Sequence, residues 1–177
     1  LKLTIEKLTS AGYIYIGMDH FALKKDELTV AQQKKTLQRN FQGYSTLGGT
    51  DIYGFGMSSI SQIPGAYFHN LKYMRDYRLA LDAGEPPISR GYILTRQDKI
   101  RRSVIMQLMC DLSLDYDELS RNLDIDFRAD FAQELESLSG MEDDGLLYRR
   151  ESGLEVTDIG RLVIRNIAMK FDPHCGT

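Results

Sequence analysis

The sequence predicts an α+β protein whose two halves differ in character. In the first half an amphipathic helix runs up to Gly12 and then directly into the aromatic and β-branched residues 13–18, an order that suits part of an α/β barrel or sheet. Two adjacent prolines interrupt the chain near its middle, because proline cannot continue a helix. Helical patterns and one hairpin signal follow them. We therefore expect one domain at residues 1–84, a linker at 85–92 and a second domain at 93–177.

The first domain is predicted to alternate helices with strands. Residues 26–38 have the pattern of a polar helix. Residues 70–83 carry apolar side chains three to four positions apart, and Gly84 stands where a helix-terminating glycine belongs. His20 follows the first predicted strand, and beside Asp19 we expect it to orient a neighbour by hydrogen bonds.

The stretch from Arg39 to Ser61 is the most unusual part of the first domain. It holds five of the fifteen glycines of the chain, mixed with aromatic, amide and hydroxyl side chains. Gly54 and Gly56 fall inside an apolar run, where a missing side chain marks another group packed close to the backbone. The pattern is compatible with a tight turn that feeds a buried strand, and also with a loop and strand whose backbone approaches a ligand.

The second domain is predicted to contain four helices and one hairpin. In chain order these are helices at 95–112, 115–123 and 127–140, a hairpin at 146–157, and a last helix that Thr157 caps. Asp115 and Glu118 form a capping-box-like start for the helix at 115–123. Three helices, a hairpin and a further helix form a winged-helix-like order. Such modules often bind DNA, but Glu134, Glu136 and the acidic residues beyond them would repel phosphates. A lid or protein-interaction role is the better expectation for this domain.

Composition limits the other function classes. The net charge of −3 argues against nucleic acid as a partner, and no apolar run approaches the ~20 residues that span a membrane. Two cysteines do not make a disulfide scaffold, so a reducing, cytoplasmic compartment is expected. Cys110 lies in an apolar run and should be buried, while Cys175 beside His174 is a weak metal signal, so no metal site is predicted. Because Leu1 rather than Met opens the chain, a piece of a longer protein is expected.

Five separate motifs, in order, resemble one enzyme family. They are Ile16-Gly17-Met18-Asp19-His20-Phe21-Ala22, Arg39-Asn40-Phe41-Gln42-Gly43-Tyr44, Gly54-Phe55-Gly56-Met57-Ser58-Ser59-Ile60-Ser61, Leu94-Thr95-Arg96 to Ile100-Arg101-Arg102, and Gly160-Arg161-Leu162 to Arg165-Asn166-Ile167. Together they resemble the oxygen-independent coproporphyrinogen III oxidases, which are radical S-adenosylmethionine enzymes of heme synthesis. The resemblance covers essentially the whole chain.

The resemblance implies a fold and a reaction. Residues 1–84 would be the closing part of a radical S-adenosylmethionine barrel, and residues 93–177 would cover its site. The parent enzyme would convert two propionates of coproporphyrinogen III to vinyl groups, using S-adenosylmethionine and a four-iron four-sulfur cluster. That cluster needs a CxxxCxxC run, which is absent here, since only Cys110 and Cys175 are present. The cluster ligands would therefore lie upstream, and no catalytic residue is expected in this chain.

The same resemblance assigns ligand-binding residues. Ile60 and Gln42 match positions that contact S-adenosylmethionine, with core packing as the other role of Ile60 and a loop brace as that of Gln42. Carboxylates are best held by arginine, so Arg39, Arg101 or Arg102 is expected to face the propionates of the substrate. Tyr44 is a further candidate for the porphyrinogen pocket, with packing as its other role.

Two other functions stay open at this point. One is a heme chaperone of the same superfamily, and the other is a non-catalytic winged-helix interaction module. If the protein is the enzyme, its expected partners are coproporphyrinogen III and S-adenosylmethionine. We then expect a monomer that binds neither nucleic acid nor a membrane.

Overall fold

The structure is a computed structural model that describes residues 2–174. Its strands are β1 (Tyr13–Gly17), β2 (His20–Leu23), β3 (Gln38–Asn40), β4 (Gly43–Ser45), β5 (Ile60–Ile63), β6 (Ala66–Asn70), β7 (Ile88–Ile93), β8 (Ser113–Asp115), β9 (Leu147–Arg150) and β10 (Gly153–Val156). Its helices are α1 (Lys2–Ser10), α2 (Glu27–Gln33), α3 (Met74–Asp82), α4 (Arg96–Asp111), α5 (Tyr116–Leu123), α6 (Phe127–Asp130), α7 (Ala132–Glu136), α8 (Ser139–Asp143), α9 (Asp158–Leu162) and α10 (Ile164–Ala168). A short 3₁₀ helix at Met169–Phe171 follows α10.

The chain packs as two compact units. One unit combines Leu1–Thr46 with Ile100–Thr177, and the other is Leu47–Lys99. Both contain helices and strands, which confirms a mixed α and β protein. These units are defined by which residues pack together, so they do not test the predicted domain boundaries. The domains at 1–84 and 93–177 stay a prediction.

The first unit begins with two hairpins. β1 pairs antiparallel with β2, and β3 pairs antiparallel with β4. The predicted strand after the first helix is therefore confirmed, but its partner is the next strand in the chain. Tight reversal between β1 and β2 is possible because Met18 adopts φ 54°, and the turn places His20 at the start of β2. A small apolar cluster lies beneath these hairpins, formed by Ile16, Ala22, Ala31, Leu37, Tyr44 and Cys110.

Residues 100–174 of the same unit surround a larger aromatic core. Phe127 stacks on Phe131 with ring centroids 4.8 Å apart, and Phe171 lies 5.9 Å from Phe131. The prediction of one continuous helix at 127–140 is wrong. The segment forms three short helices, α6, α7 and α8, which are separated at Phe131 and Leu138. Both side chains are fully buried, and Phe131 leaves helical geometry with φ −116°.

Local capping signals in the sequence are confirmed. Asp115 accepts a hydrogen bond from the backbone N–H of Glu118 at the start of α5, and Thr157 accepts one from Gly160 at the start of α9. The predicted hairpin is also present, since β10 lies between β8 and β9 in a three-stranded antiparallel sheet.

The second unit is a three-stranded antiparallel sheet, in the order β5-β6-β7, with helix α3. The predicted helix at 70–83 starts too early, because β6 continues to Asn70 and α3 begins at Met74. Its predicted end is confirmed, since Gly84 has φ 72°. The residues after the two prolines form β7, whose side chains are exposed throughout.

Gly160 offers a stability test of the packing between α9 and its surroundings. A Cβ at this position would overlap the backbone carbonyl of Leu146, whereas a Cβ at Gly140 in α8 would meet open space. We expect Gly160→Ala to lower the free energy of unfolding by about 1–3 kcal/mol or more, because the backbone must move to admit the methyl group.

Gly140→Ala is the matched control, and it should leave stability unchanged or raise it by about 0.4–1 kcal/mol. Urea unfolding of both variants followed by circular dichroism provides the comparison. Equal effects of the two substitutions would contradict the close approach at Gly160.

Candidate functional site

The motif from Gly54 to Ser61 forms a loop and the start of β5 in the second unit. We call residues Gly54–Ser59 the anchored loop. The backbone N–H of Gly54 donates to Ser61 Oγ at 2.9 Å, and that of Gly56 donates to Tyr77 Oη at 3.1 Å. Ser59 Oγ donates to the carbonyl of Gly56 at 2.8 Å. The loop is therefore shaped by specific hydrogen bonds and does not continue a buried strand.

Apolar side chains of this segment are open to solvent. Phe55 is 90% exposed, Met57 is exposed, and Ile60 is 37% exposed at the start of β5. A Cβ on Gly54 would lie 2.8 Å from the carbonyl oxygen of Ile60, so glycine permits the close approach of the two backbones. The segment thus combines open space beside the Cα of Gly56 with apolar surface at Phe55, Met57 and Ile60.

Gln42 and Tyr44 lie at the β3–β4 hairpin of the first unit. The backbone N–H of Gln42 donates to Asn40 Oδ1 at 2.8 Å, and its side chain is exposed. Tyr44 is buried, and its hydroxyl donates to the carbonyl of Met109 at 3.1 Å. The backbone of Gln42 therefore closes the turn and leaves its side-chain amide available, while Tyr44 packs in the core.

Two arginines lie against the tyrosines of this unit. The Arg39 guanidinium lies 4.8 Å from the centroid of the Tyr44 ring, and the Arg161 guanidinium lies 4.8 Å from that of Tyr15. Arg161 also donates to the backbone carbonyls of Tyr15 and Ile16. We call Tyr15, Arg39, Tyr44 and Arg161 the arginine–tyrosine cluster.

The cluster contains unsatisfied positive charge. Among residues 2–174, neither Arg39 nor Arg161 forms an ion pair with a carboxylate. Arg39 Nη1 and Arg161 Nε are both buried without a hydrogen-bond partner in this part of the chain. Burial also lowers the pKa of Arg161. An anion is the group that would complete such a site.

His20 borders this cluster. Its ring meets that of Tyr44 edge-on at 5.2 Å, and a Cβ on Gly43 would overlap the imidazole. Its Nδ1 lies 2.8 Å from an Asp19 carboxylate oxygen, although outside hydrogen-bond geometry. The ring is thus held by contacts with the two hairpins.

Arg101 and Arg102 lie on α4. The Arg101 guanidinium donates to Glu134 at 2.6 Å and to the carbonyl of Phe171 at 2.9 Å, and it lies 5.1 Å from the Phe131 ring centroid. These contacts join α4 to the aromatic core. The Arg102 side chain is half-buried.

Burial also raises the pKa of two titratable groups, one in the arginine–tyrosine cluster and one next to it. It raises the pKa of the Tyr44 hydroxyl to about 12 and that of the Cys110 thiol to about 12. The predicted burial of Cys110 is confirmed. Cys175 lies outside the described residues, so the expectation that it forms no metal site with His174 stays a prediction. Residues 2–174 contain no group of three or more histidine, cysteine or acidic side chains placed to hold a metal ion.

Sequence reasoning named Arg39 and Tyr44 but gave Arg161 no binding role. Arg161 was visible as part of the motif Gly160-Arg161-Leu162. The β1 residues that it contacts lie about 145 positions away along the chain, so no local pattern encodes the contact.

No helix in the described part of the chain is long and apolar enough to cross a membrane.

Comparisons with known proteins agree with the motifs. Residues 94–163 match the model of the HemN C-terminal domain. The oxygen-independent coproporphyrinogen III oxidase of Thermostichus vulcanus is 48% identical over 175 residues, which are 98% of this chain and 54% of the relative. The enzyme of the same name from Escherichia coli is 47% identical over 98% of this chain and 38% of the relative.

A solved structure shows the same fold. It is described as coproporphyrinogen III oxidase (HemN) from Escherichia coli, a radical SAM enzyme, and it matches 98% of this chain and 40% of its own with a TM-score of 0.93 and 46% identity. The similarity is therefore to enzymes of the radical SAM class. Within that class the chain is similar to the C-terminal part of the oxygen-independent coproporphyrinogen III oxidases. It spans about 38–54% of the length of these curated relatives.

Tyr44→Phe tests the central hydrogen bond of the cluster. At pH 8 we expect the free energy of unfolding to fall by about 1–3 kcal/mol, because the buried Met109 carbonyl loses its donor. Between pH 10 and about 12 the wild-type protein should lose stability as pH rises, since an unfolded tyrosine ionises near pH 10 while folded Tyr44 retains its proton.

The phenylalanine variant should lack this share of the alkaline loss. Tyr148→Phe, at an exposed position, is the control and should change neither quantity. Urea unfolding at pH 8 and pH 11 supplies the measurement. An identical alkaline slope in wild type and Tyr44→Phe would contradict the raised pKa.

Proposed function

We propose that this chain forms the C-terminal part of an enzyme that decarboxylates coproporphyrinogen III without oxygen. The reaction would convert two propionates to vinyl groups and give protoporphyrinogen IX. The observation that supports it best is the 46% identity and TM-score of 0.93 with a coproporphyrinogen III oxidase over 98% of this chain. The unpaired arginines of the cluster fit a substrate that carries carboxylates.

The residues of this chain do not fit the binding of the four-iron four-sulfur cluster. Its thiolate ligands would have to come from elsewhere, because Cys110 is buried as a thiol and Cys175 is the one other cysteine. We propose that this chain contributes no ligand to the four-iron four-sulfur cluster.

The residues of this chain fit S-adenosylmethionine better than they fit the iron–sulfur cluster. The anchored loop offers open space beside the Cα of Gly56 and apolar surface at Phe55 and Ile60, which suits the face of a purine ring. We propose that Ile60 and the exposed amide of Gln42 contact this cofactor, which supplies hydrogen-atom abstraction when it is bound. The contribution of these residues is to bind and orient it.

Arginine would recognise the substrate. We propose that Arg39, supported by Tyr44, binds a propionate of coproporphyrinogen III. Arg101 and Arg102 remain further candidates, although the contacts of Arg101 with Glu134 and Phe171 already satisfy much of its guanidinium.

The finer architecture is part of the same proposal. Residues 1–84 would close a radical S-adenosylmethionine barrel, and residues 93–177 would form a winged-helix-like cover after the linker at 85–92. We further propose a cytoplasmic monomer that does not bind nucleic acid, in keeping with the acidic side chains on α7 and α8.

The direct test is an anaerobic assay of the intact cluster-loaded protein that contains this chain. We expect release of carbon dioxide and formation of protoporphyrinogen IX that depend on S-adenosylmethionine. Tight heme binding without decarboxylation would overturn the proposal and favour a chaperone. A shift of DNA in a low-salt gel would favour an interaction module.

Arg39→Gln tests the substrate-binding role in the same assay. Losing one charge-assisted contact should lower kcat/KM for coproporphyrinogen III by roughly 10- to 100-fold, mainly through KM. Arg121→Gln changes an exposed arginine of α5 and should have no effect. Equal kinetic constants for Arg39→Gln and wild type would exclude Arg39 from the substrate site.

A further inference from the structure

Asn70 is a buried polar residue at the end of β6. Only 7% of its surface is exposed. Its side-chain Nδ2 donates to the carbonyl of Gly54 at 3.2 Å, to the carbonyl of Gly56 at 3.0 Å and to Ser59 Oγ at 2.9 Å. An amide nitrogen has two hydrogens, so these three acceptors share its donors. One side chain therefore contacts the start, the middle and the end of the anchored loop.

The backbone around Asn70 strengthens this attachment. The backbone N–H of Asn70 donates to the carbonyl of Ser59 at 2.9 Å. Next to it, the backbone N–H of Ser58 donates to the carbonyl of Leu71 at 2.9 Å, and His69 Nε2 lies 3.0 Å from the carbonyl of Ser58. The second half of the anchored loop is thus attached to β6 and to the residue that follows it.

These bonds fix a segment that has little apolar burial of its own. Phe55 is 90% exposed, although the glycines on both sides of it accept hydrogen bonds from Asn70. Ile60 follows directly and is partly exposed. An exposed apolar surface on a backbone held by buried hydrogen bonds is preorganised for binding, because little conformational entropy remains to be lost when a ligand arrives.

We propose that Asn70 is a positioning residue for S-adenosylmethionine. It holds the anchored loop in the conformation in which Phe55 and the backbone at Ile60 meet the adenosyl group of the cofactor. This inference rests on the proposed function. It adds two residues to it: Asn70, which acts through the loop, and Phe55, which contacts the cofactor.

A positioning role differs from a purely structural role in what it changes. A structural residue alters the fraction of folded enzyme, which lowers the apparent kcat and leaves the affinity for the cofactor unchanged. A positioning residue lowers the affinity of the folded enzyme for S-adenosylmethionine. The dissociation constant of the cofactor, together with the separation of KM from kcat, distinguishes the two.

The test uses Asn70→Asp in the intact, cluster-loaded enzyme. The substitution keeps the side-chain shape and replaces the donor by a carboxylate that faces three oxygen atoms. We expect the Kd for S-adenosylmethionine, measured by equilibrium dialysis, to rise at least tenfold. The KM for the cofactor should rise in parallel, while kcat at saturating cofactor stays within about threefold of wild type.

Two further variants and one control make the comparison quantitative. Tyr77→Phe removes the hydroxyl that accepts from the Gly56 N–H, and Phe55→Ala removes the exposed ring, so both should raise the Kd by a smaller factor of about three to ten. Thr29→Val is the control. It removes one buried hydrogen bond, to the carbonyl of Leu23 in the other unit, and should leave the Kd unchanged.

Hydrogen exchange of the same proteins without cofactor gives an independent readout. Amide protons of Gly54 and Gly56 should exchange at least tenfold faster in Asn70→Asp than in wild type and at the wild-type rate in Thr29→Val. An unchanged Kd in Asn70→Asp together with faster exchange would overturn the positioning role, because the loop would then be loosened without consequence for binding.

The outcomes separate this inference from the proposed function. If wild-type enzyme loaded with its cluster does not bind S-adenosylmethionine, the proposed function fails and the inference falls with it. If wild type binds the cofactor and Asn70→Asp binds it equally well, the proposed function stands and the inference alone is wrong.

Discussion

The contact between the Arg161 guanidinium and the carbonyls of β1 joins the two ends of the first unit. Arg161 lies in α9 and donates to Tyr15 and Ile16 in the first hairpin. Desolvation of a guanidinium is unfavourable, and here the carbonyls and the Tyr15 ring offset it. Because no carboxylate among the described residues forms an ion pair with Arg161 or Arg39, the packing that joins the hairpins to the helices also leaves positive charge in the arginine–tyrosine cluster. The contacts that stabilise the fold of this unit are therefore the same ones that hold the two guanidinium groups in place.

The second unit is stabilised in a different way. Among its described residues, the buried apolar side chains are Ala66 and Leu94, while many larger apolar side chains are exposed. Its shape depends on the sheet β5-β6-β7, on the hydrogen bonds that Asn70 donates to the anchored loop, and on those that Ser61 and Tyr77 accept from it. Directional bonds specify a loop conformation more narrowly than a small apolar core would. Such a segment can present apolar side chains to a ligand and still have a defined backbone.

Features encoded by neighbouring residues could be predicted from the sequence. The caps at Asp115 and Thr157 and the end of α3 at Gly84 depend on residues within one helical turn, and each is confirmed. The start of α3 was predicted too early because the apolar spacing around Asn70 resembles that of a helix, whereas its side chain bonds to residues 11 to 16 positions away. Likewise, sequence reasoning assigned binding roles to Ile60 and Arg39 but gave none to Asn70 and Arg161, whose contacts are long-range.

The burial of Cys110 has a consequence for its reactivity toward metals and oxidants. Iron binds thiolates, and a thiol with a pKa of about 12 holds almost no thiolate near neutral pH. Cys110 is therefore a poor ligand for iron, and it resists mixed-disulfide formation when the protein meets oxidants. A cysteine enclosed among Ile16, Leu37 and Tyr44 is thus chemically silent.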